Sequence, residues 1–302
     1  NLAGENKKLW MDIDDPNAPF LGLIPNDKLM KLQLWNKEEY IHVIRVNALD
    51  LWKEIVACAH NTAEPGLMFK DRLINYSPDG IYDEYRGVTT NPCSEIFMQP
   101  YDACRLICMN LLSIVENPYT KNAKIDYKLL YELAYKQQLL ADTLIDVELS
   151  KISNILNKII SDPESMEVKQ VEYDLWVKIL ETAKASRRTG SGFTGLGDML
   201  AALGLAYDSD NAISVAKEVI KMKMEAELDA SIDLAEEFGP FEGWDGAKEI
   251  AMSTHPSSFY YTIRHDFPDQ WKRMKKSGRR NVSWSTVAPT GTVSLMTQTT
   301  SG

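Results

Sequence analysis

Apolar residues recur at three- and four-residue intervals along several stretches of the chain, the spacing of helices that bury one face. From Glu38 to Thr62 the stripe is Leu49, Leu51, Trp52, Ile55 and Val56, and Glu64-Pro65-Gly66 ends it. Asp126 to Ile160 reads as one long helix or a broken pair, carried by Leu129, Leu133, Leu140, Leu144, Ile152, Ile155 and Ile159 and closed by Pro163. Glu172 to Ser186 is a further amphipathic helix. The clearest runs from Asp210 to Phe238, with Ile213, Ala216, Ile220, Leu228, Ile232 and Ala235 on its buried face and Gly239-Pro240 as its stop. Short apolar runs at Leu67-Met68-Phe69 and Val282 to Val287 predict strands, while Pro16, Pro19 and Pro25 break any long helix before about residue 36. Helices interleaved with short strands predict the α/β class. With no internal repeat and no clear linker, residues 1–302 read as one domain, mainly helical from about 126 to 190.

Composition narrows the function. Hydrophobic residues make up 44% and charged residues 25%, as in soluble globular chains. With 33 Lys and Arg against 43 Asp and Glu, the net charge of −10 argues against non-specific binding to nucleic acid. No apolar run approaches the ~18 residues that span a bilayer, and no signal peptide opens the chain, so a cytoplasmic protein without membrane contact is expected. Four cysteines, Cys58, Cys93, Cys104 and Cys108, are too sparse for a disulfide scaffold, and neither they nor the four histidines show metal-ligand spacing; no metal site is expected. The chain opens on Asn1 and stops directly after a patterned segment, which reads as a piece cut from something longer.

Two segments carry candidate chemistry. In Asn91-Pro92-Cys93-Ser94-Glu95, Pro92 disfavours helix at Asn91 and predicts an extended pentapeptide. Residues at i, i+2 and i+4 then share a face, so Asn91, Cys93 and Glu95 would present a thiol flanked by an amide and a carboxylate. The alternative is a surface loop in which Cys93 is merely a small hydrophobe. Cys104 follows eleven residues later, and a turn at Gln99-Pro100-Tyr101-Asp102 would bring the two cysteines together. Cys104, Leu106, Cys108 and Asn110 would share one strand face, with Cys108 as core packing.

The second segment is Ala288-Pro289-Thr290-Gly291-Thr292-Val293-Ser294. A strand entering a Thr/Gly/Ser turn before a helix can hold phosphate through unpaired backbone N–H groups, without needing positive charge. It is neither a Walker A loop nor a dinucleotide fingerprint. Gly190-Ser191-Gly192 and Gly195-Leu196-Gly197 read as tight turns between helices, and Arg187-Arg188 and Arg279-Arg280 as solvated pairs.

Taken together these pieces resemble the catalytic subunit of ribonucleotide reductase. The resemblance rests on Thr89 to Ile96, on Tyr101-Asp102-Ala103-Cys104 with Asn110-Leu111, on Gly195 to Leu200, and on Arg280-Asn281 leading to Ala288 to Ser294; Glu64-Pro65-Gly66 with Phe69, Asp71 and Asn75 adds support. It covers roughly residues 45–302. It implies a ten-stranded α/β barrel whose central finger loop carries Cys93, sheltered at the barrel centre. Cys93 would become a thiyl radical and abstract the 3′ hydrogen of a ribonucleotide, Glu95 would take the 3′-hydroxyl proton, and Asn91 would bind the sugar hydroxyls. Pro289, Thr290, Gly291, Thr292, Val293 and Ser294 would cradle the substrate phosphates. Cys104 would be half of the dithiol that reduces the 2′ position, regenerated by a thioredoxin-like reductant.

The short Cys93–Cys104 separation and the ending Ala288 to Gly302 resemble the adenosylcobalamin-dependent class II enzymes; a class I large subunit with a small radical-generating subunit is the alternative. Beyond these stand a non-catalytic scaffold module and a nucleotide-binding regulator. The chain departs from the family in one important respect: Cys104's dithiol partner, expected well upstream, has no counterpart, since Cys58 does not match its position. Ile107-Cys108-Met109 also stands where the family has small residues. The expectation is a middle-to-late piece of the subunit, inactive alone, needing the N-terminal and C-terminal segments and forming a homo-oligomer once complete.

Overall fold

The computed structural model describes residues 29–35 and 41–301, with side chains from Asn47 onward, in two compact units divided after Met68. The reading of Pro16, Pro19 and Pro25 lies outside the described residues. In the first unit, β1 (Leu29–Trp35) pairs antiparallel with β2 (Ile41–Asn47), Leu29 opposite Asn47 and Trp35 opposite Ile41. The Asn47 side chain then accepts from the Leu49 N–H and starts α1 (Ala48–Thr62). The predicted helix from Glu38 is therefore shorter, because the β-branched residues Ile41, Val43 and Ile44 suit a strand.

The second unit begins with α2 (Lys70–Tyr76), so Leu67-Met68-Phe69 leads into a helix instead of forming a strand. A hairpin of β3 (Thr89–Thr90) and β4 (Phe97–Met98) follows. Next come β5 (Arg105–Asn110), a 3-10 turn at Leu111–Ile114, and the small antiparallel pair β6 (Val115–Glu116) and β7 (Lys124–Ile125).

Two long helices then fill the segment expected to be helical. α3 (Tyr127–Ser161) is one unbroken helix, capped by Asp126, and α4 (Met166–Ser186) starts at Ser165, earlier than the apolar stripe alone suggests. The buried stripe of α3 is Leu130, Ala134, Ala141, Ile145, Ile152 and Ile159, shifted from the expected one; Leu140 and Leu144 are exposed. Polar Gln137, Gln138 and Asp142 take part in the buried face, which a purely apolar pattern overlooks.

β8 (Thr189–Thr194) runs parallel to β5, Arg105 opposite Thr189 and Asn110 opposite Thr194, with α3 packed against both. Residues 283–286 lie along the other side of β8, where Thr189 and Ser191 donate to the carbonyls of Ser283 and Trp284 and Thr286 donates back to that of Ser191. The predicted strand Val282 to Val287 is thus a short ladder segment. Among the described residues these strands form a small open sheet and do not close on themselves.

After β8 come α5 (Leu196–Ala202), α6 (Asp210–Phe238), α7 (Gly246–Met252), α8 (Phe259–Asp266), α9 (Pro268–Ser277) and α10 (Gly291–Thr297). α6 has the predicted bounds, fixed by Ser209 as N-cap and Gly239 beyond its end. Its Leu228 and Ile232 are wholly enclosed with Tyr260, Ile263, Trp271, Met274 and Trp284, burial worth about 1.5–3 kcal/mol per aliphatic side chain. Its first half behaves differently: Ile213, Ala216 and Ile220 line an apolar groove of about 590 Å³ with Leu196, Leu200 and Phe267. No helix among the described residues is long and apolar enough to cross a membrane.

Candidate active site

The thiol segment is a turn. Ser94 N–H donates to the Asn91 carbonyl at 3.0 Å, Asn91 N–H donates to the Ile96 carbonyl at 3.1 Å, and Ile96 N–H donates to Asn91 Oδ1 at 3.3 Å. Ser94 takes a left-handed φ of 66°. The expected extended pentapeptide, with Asn91, Cys93 and Glu95 on one face, is therefore corrected. Proline's fixed φ suits the second position of a turn as well as a strand, and the Asn91 side chain closes the loop. Buried Ile96 and Phe97 anchor the base of this hairpin, and Phe97 fills the space a side chain at Gly87 would need.

Cys93 sits at the tip and is exposed, together with Pro92 and Ser94. Within this chain it is not sheltered. Asn91 and Glu95 are half-buried, and Glu95 Oε2 is enclosed without a hydrogen-bond partner.

The finger is tied to the sheet through the Glu95 backbone. Thr286 Oγ1 donates to the Glu95 carbonyl at 2.9 Å. Beside Thr286 lies Gly190, where an added Cβ would stand 2.2 Å from Cys104 Sγ and 2.9 Å from Thr286 Cγ2. Gly190-Ser191-Gly192 is thus an interior strand segment, not a turn between helices; Gly190 lets the Cys104 thiol lie against the backbone, and Gly192 lets the Thr286 carbonyl come close. Gly195, at φ 74°, makes the bend from β8 into α5.

Burial pushes the Cys104 thiol up to about 12; Arg188 and Arg105 oppose the rise while Glu95 and Asp102 add to it. Burial also raises the Cys108 thiol, against the pull of Lys223. Cys104 and Cys108 are four residues apart on an extended chain, roughly 13 Å, which is beyond disulfide reach.

The threonine-rich turn lies at the far end of β8. Thr290 is buried, its hydroxyl 3.1 Å from that of Thr194, and its carbonyl accepts from Ser294 N–H at 2.7 Å. The Ser294 hydroxyl is also buried and donates to the Gly291 carbonyl. Two of the three hydroxyls expected to meet phosphate therefore serve the fold, while Pro289, Gly291, Thr292 and Val293 are exposed. The first-turn N–H groups of α10 have no intrahelical acceptor, and the space above Gly291 is open.

Three of the four paired arginines are buried, against the expectation of solvated pairs. Arg187 makes a bidentate contact with Asp142, Arg188 joins Asp79 and Asp102, and Arg279 meets Glu249 beneath Phe241, Tyr260 and Trp284. Asn281 stitches the interior together: it donates to Asp142 and the Arg187 carbonyl and accepts from Gln138 and Ser231. Sequence reasoning passed over Thr286, placed Gly190 in a tight turn and left Arg188 on a solvated face. The alternation of Gly190, Ser191 and Gly192 opposite a cysteine-bearing strand was the available signal.

The ribonucleotide reductase barrel-domain family matches residues 12–302, and the chain belongs to that family. It is 31% identical over 261 residues to the vitamin B12-dependent ribonucleoside-diphosphate reductase of Mycobacterium tuberculosis strain H37Rv, covering 86% of this chain and 29% of that protein. The protein of the same name from Thermoplasma acidophilum is 27% identical, over 83% of this chain and 26% of its own length. The chain thus spans less than a third of the curated relatives it matches. Among solved structures, the Actinobacillus ureae class Id ribonucleotide reductase alpha subunit superposes with a TM-score of 0.55 at 20% identity, over 84% of this chain and 39% of that one. That likeness bears on the fold alone, and it agrees with an α/β reductase fold.

Proposed function

We propose that this chain supplies the radical and reducing thiols of a catalytic subunit that converts ribonucleotides to 2′-deoxyribonucleotides. The observation that carries the reading is convergence at Thr286: the Cys93 finger, the Cys104 thiol and the strand leading into the threonine-rich turn all meet there. Cys93 takes the 3′ hydrogen as a thiyl radical. Glu95, whose enclosed oxygen has no other partner, accepts the 3′-hydroxyl proton, and such positioned base catalysis is typically worth 10²–10⁴ in rate. Asn91 keeps its Nδ2 for the sugar hydroxyls. The exposed rim from Pro289 to Val293, with Ser294 and Thr290 bracing it, receives the phosphates. Cys104, held protonated by burial, is a hydrogen donor toward the 2′ position and then one half of a disulfide that a thioredoxin-like protein reduces.

In this reading the finger stands inside a ten-stranded barrel completed by further protein, which would enclose the exposed Cys93. The relatives' greater length supports that view. The complete enzyme is a cytoplasmic homo-oligomer, and the whole of residues 1–302 belongs to its barrel domain. The relatives named for vitamin B12 support adenosylcobalamin as coenzyme. Pro92, Cys93 and Ser94 are exposed together at the finger tip, so within that enclosure the thiol still presents a face to a coenzyme. When bound, that coenzyme supplies an organic radical, and Pro92, Cys93 and Ser94 form the face that would meet it.

The test is deoxyribonucleotide formation by the assembled catalytic subunit containing this region, with and without adenosylcobalamin. Formation that requires the coenzyme supports the class II reading. Formation that requires a small radical-generating subunit replaces it with class I. Nucleotide binding without formation in either case assigns a scaffold.

A further inference from the structure

β8 ends at Thr194, one residue before Gly195 turns the chain into α5. Thr194 is buried, and its hydroxyl touches both ends of the segment that runs from Thr290 to Thr300. It donates to the Thr300 carbonyl at 2.8 Å and accepts from the Thr290 hydroxyl at 3.1 Å. The directions are forced. A carbonyl only accepts, so the single Thr194 proton is spent on Thr300 and the second bond takes its proton from Thr290.

The Thr300 end is fastened further. Its carbonyl also accepts from the Gly195 N–H at 2.9 Å, its N–H donates to Asp198 Oδ2 at 2.6 Å, and its hydroxyl accepts from the Asp198 N–H at 3.2 Å. Gly197 leaves room for this contact, since an added Cβ would stand 3.2 Å from Thr300 Oγ1. The run Gly195-Leu196-Gly197-Asp198 is thus the seat of the chain that leaves α10. Between the two anchors lies α10 itself, tied within the segment by the Ser294 N–H to the Thr290 carbonyl at 2.7 Å. Four residues upstream of Thr194 on β8, roughly 13 Å along the strand and on the same face, Gly190 carries the Cys104 thiol.

We infer that Thr194 is a positioning residue for the phosphate rim: its hydroxyl pins Thr290 and Thr300 to the end of β8 and so holds Pro289 to Val293 in a fixed place on the strand that seats Cys104. The inference rests on the reading of that rim as the phosphate site. Valine has nearly the shape of threonine, so the packing around β8 does not call for a hydroxyl here; the two bonds to the rim segment do.

The test is steady-state kinetics of the assembled catalytic subunit with cytidine diphosphate, paired with hydrogen exchange at the Ser294 and Thr300 amides. Thr194→Val is expected to raise KM about fivefold with kcat within about twofold, and to speed exchange at both amides about fivefold while the α3 amides hold. Thr194→Ser keeps the hydroxyl and is expected to restore parental KM and exchange. A hydroxyl that serves stability alone would lower the melting temperature and the active fraction, so a fallen kcat at unchanged KM overturns the inference. Unaltered exchange overturns the pinning itself, whereas faster exchange with unaltered KM overturns the inference through the phosphate reading beneath it. If the Val variant does not fold, Asp198→Ala frees the Thr300 end alone and is expected to speed Thr300 exchange and raise KM about threefold; no change in either overturns the inference.

Discussion

The hydroxyl of Thr286 donates a 2.9 Å hydrogen bond to the carbonyl of Glu95, joining backbone positions 191 residues apart. Through it, a hairpin with little core of its own is fastened to the sheet at the residue next to the Gly190 thiol contact. Thr286→Val keeps the shape and removes the donor. The expected cost is about 1 kcal/mol, and the Asn91–Ile96 loop should loosen first. Hydrogen exchange at the Ser94 and Ile96 amides measures it; unaltered protection at both would mean the bond holds nothing.

Gly190→Ala places a methyl group where Cys104 Sγ already lies. Overpacking of this kind is expected to cost about 1–3 kcal/mol and to push the thiol outward, so that alkylation of Cys104 accelerates. The double variant Gly190→Ala with Cys104→Ala should recover most of the stability in urea unfolding.

The raised thiol of Cys104 makes alkaline stability a further readout. Its folded value, about 12, lies above the ordinary value of 9.0, so between these limits the native state holds a proton that the unfolded state releases. Stability from this group is therefore present below about pH 9 and lost as pH rises through the folded value, at roughly 1.4 kcal/mol per pH unit. Buried tyrosines such as Tyr82 add a loss of the same sign. Cys104→Ala is expected to flatten the decline between about pH 9 and 11 relative to the parent; parallel curves would exclude the contribution of Cys104.

Asn281 satisfies Gln138, Ser231, Asp142 and the Arg187 carbonyl at once. Asn281→Ala strips partners from several enclosed polar groups, and a loss of about 3 kcal/mol or more is expected. Urea midpoints measure it. A change below about 1 kcal/mol would show that water enters and replaces the amide.

The sequence displayed its long helices most plainly. α6 was legible to the residue because a Ser N-cap, an apolar stripe and a Gly-Pro stop agree. α3 was legible in extent but not in facing, since Gln137, Gln138 and Asp142 bury their polar ends in strand carbonyls, hydroxyls and the Arg187 guanidinium. The thiol loop was legible as a motif and misread as geometry, because Pro92 permits both a strand and a turn and only the Asn91–Ile96 bond decides between them. The burial of Arg187, Arg188 and Arg279 was hidden for a different reason: the carboxylates that offset their charge come from distant sequence.

The proposed chemistry turns on the sulfur of Cys93, and replacing that residue by serine in the assembled reductase is the decisive experiment. Deoxyribonucleotide formation is expected to fall by at least about a thousandfold, in line with removal of a covalent catalytic group, while ribonucleotide binding and melting temperature stay as in the parent. Turnover that survives in the Cys93→Ser enzyme would contradict the claim.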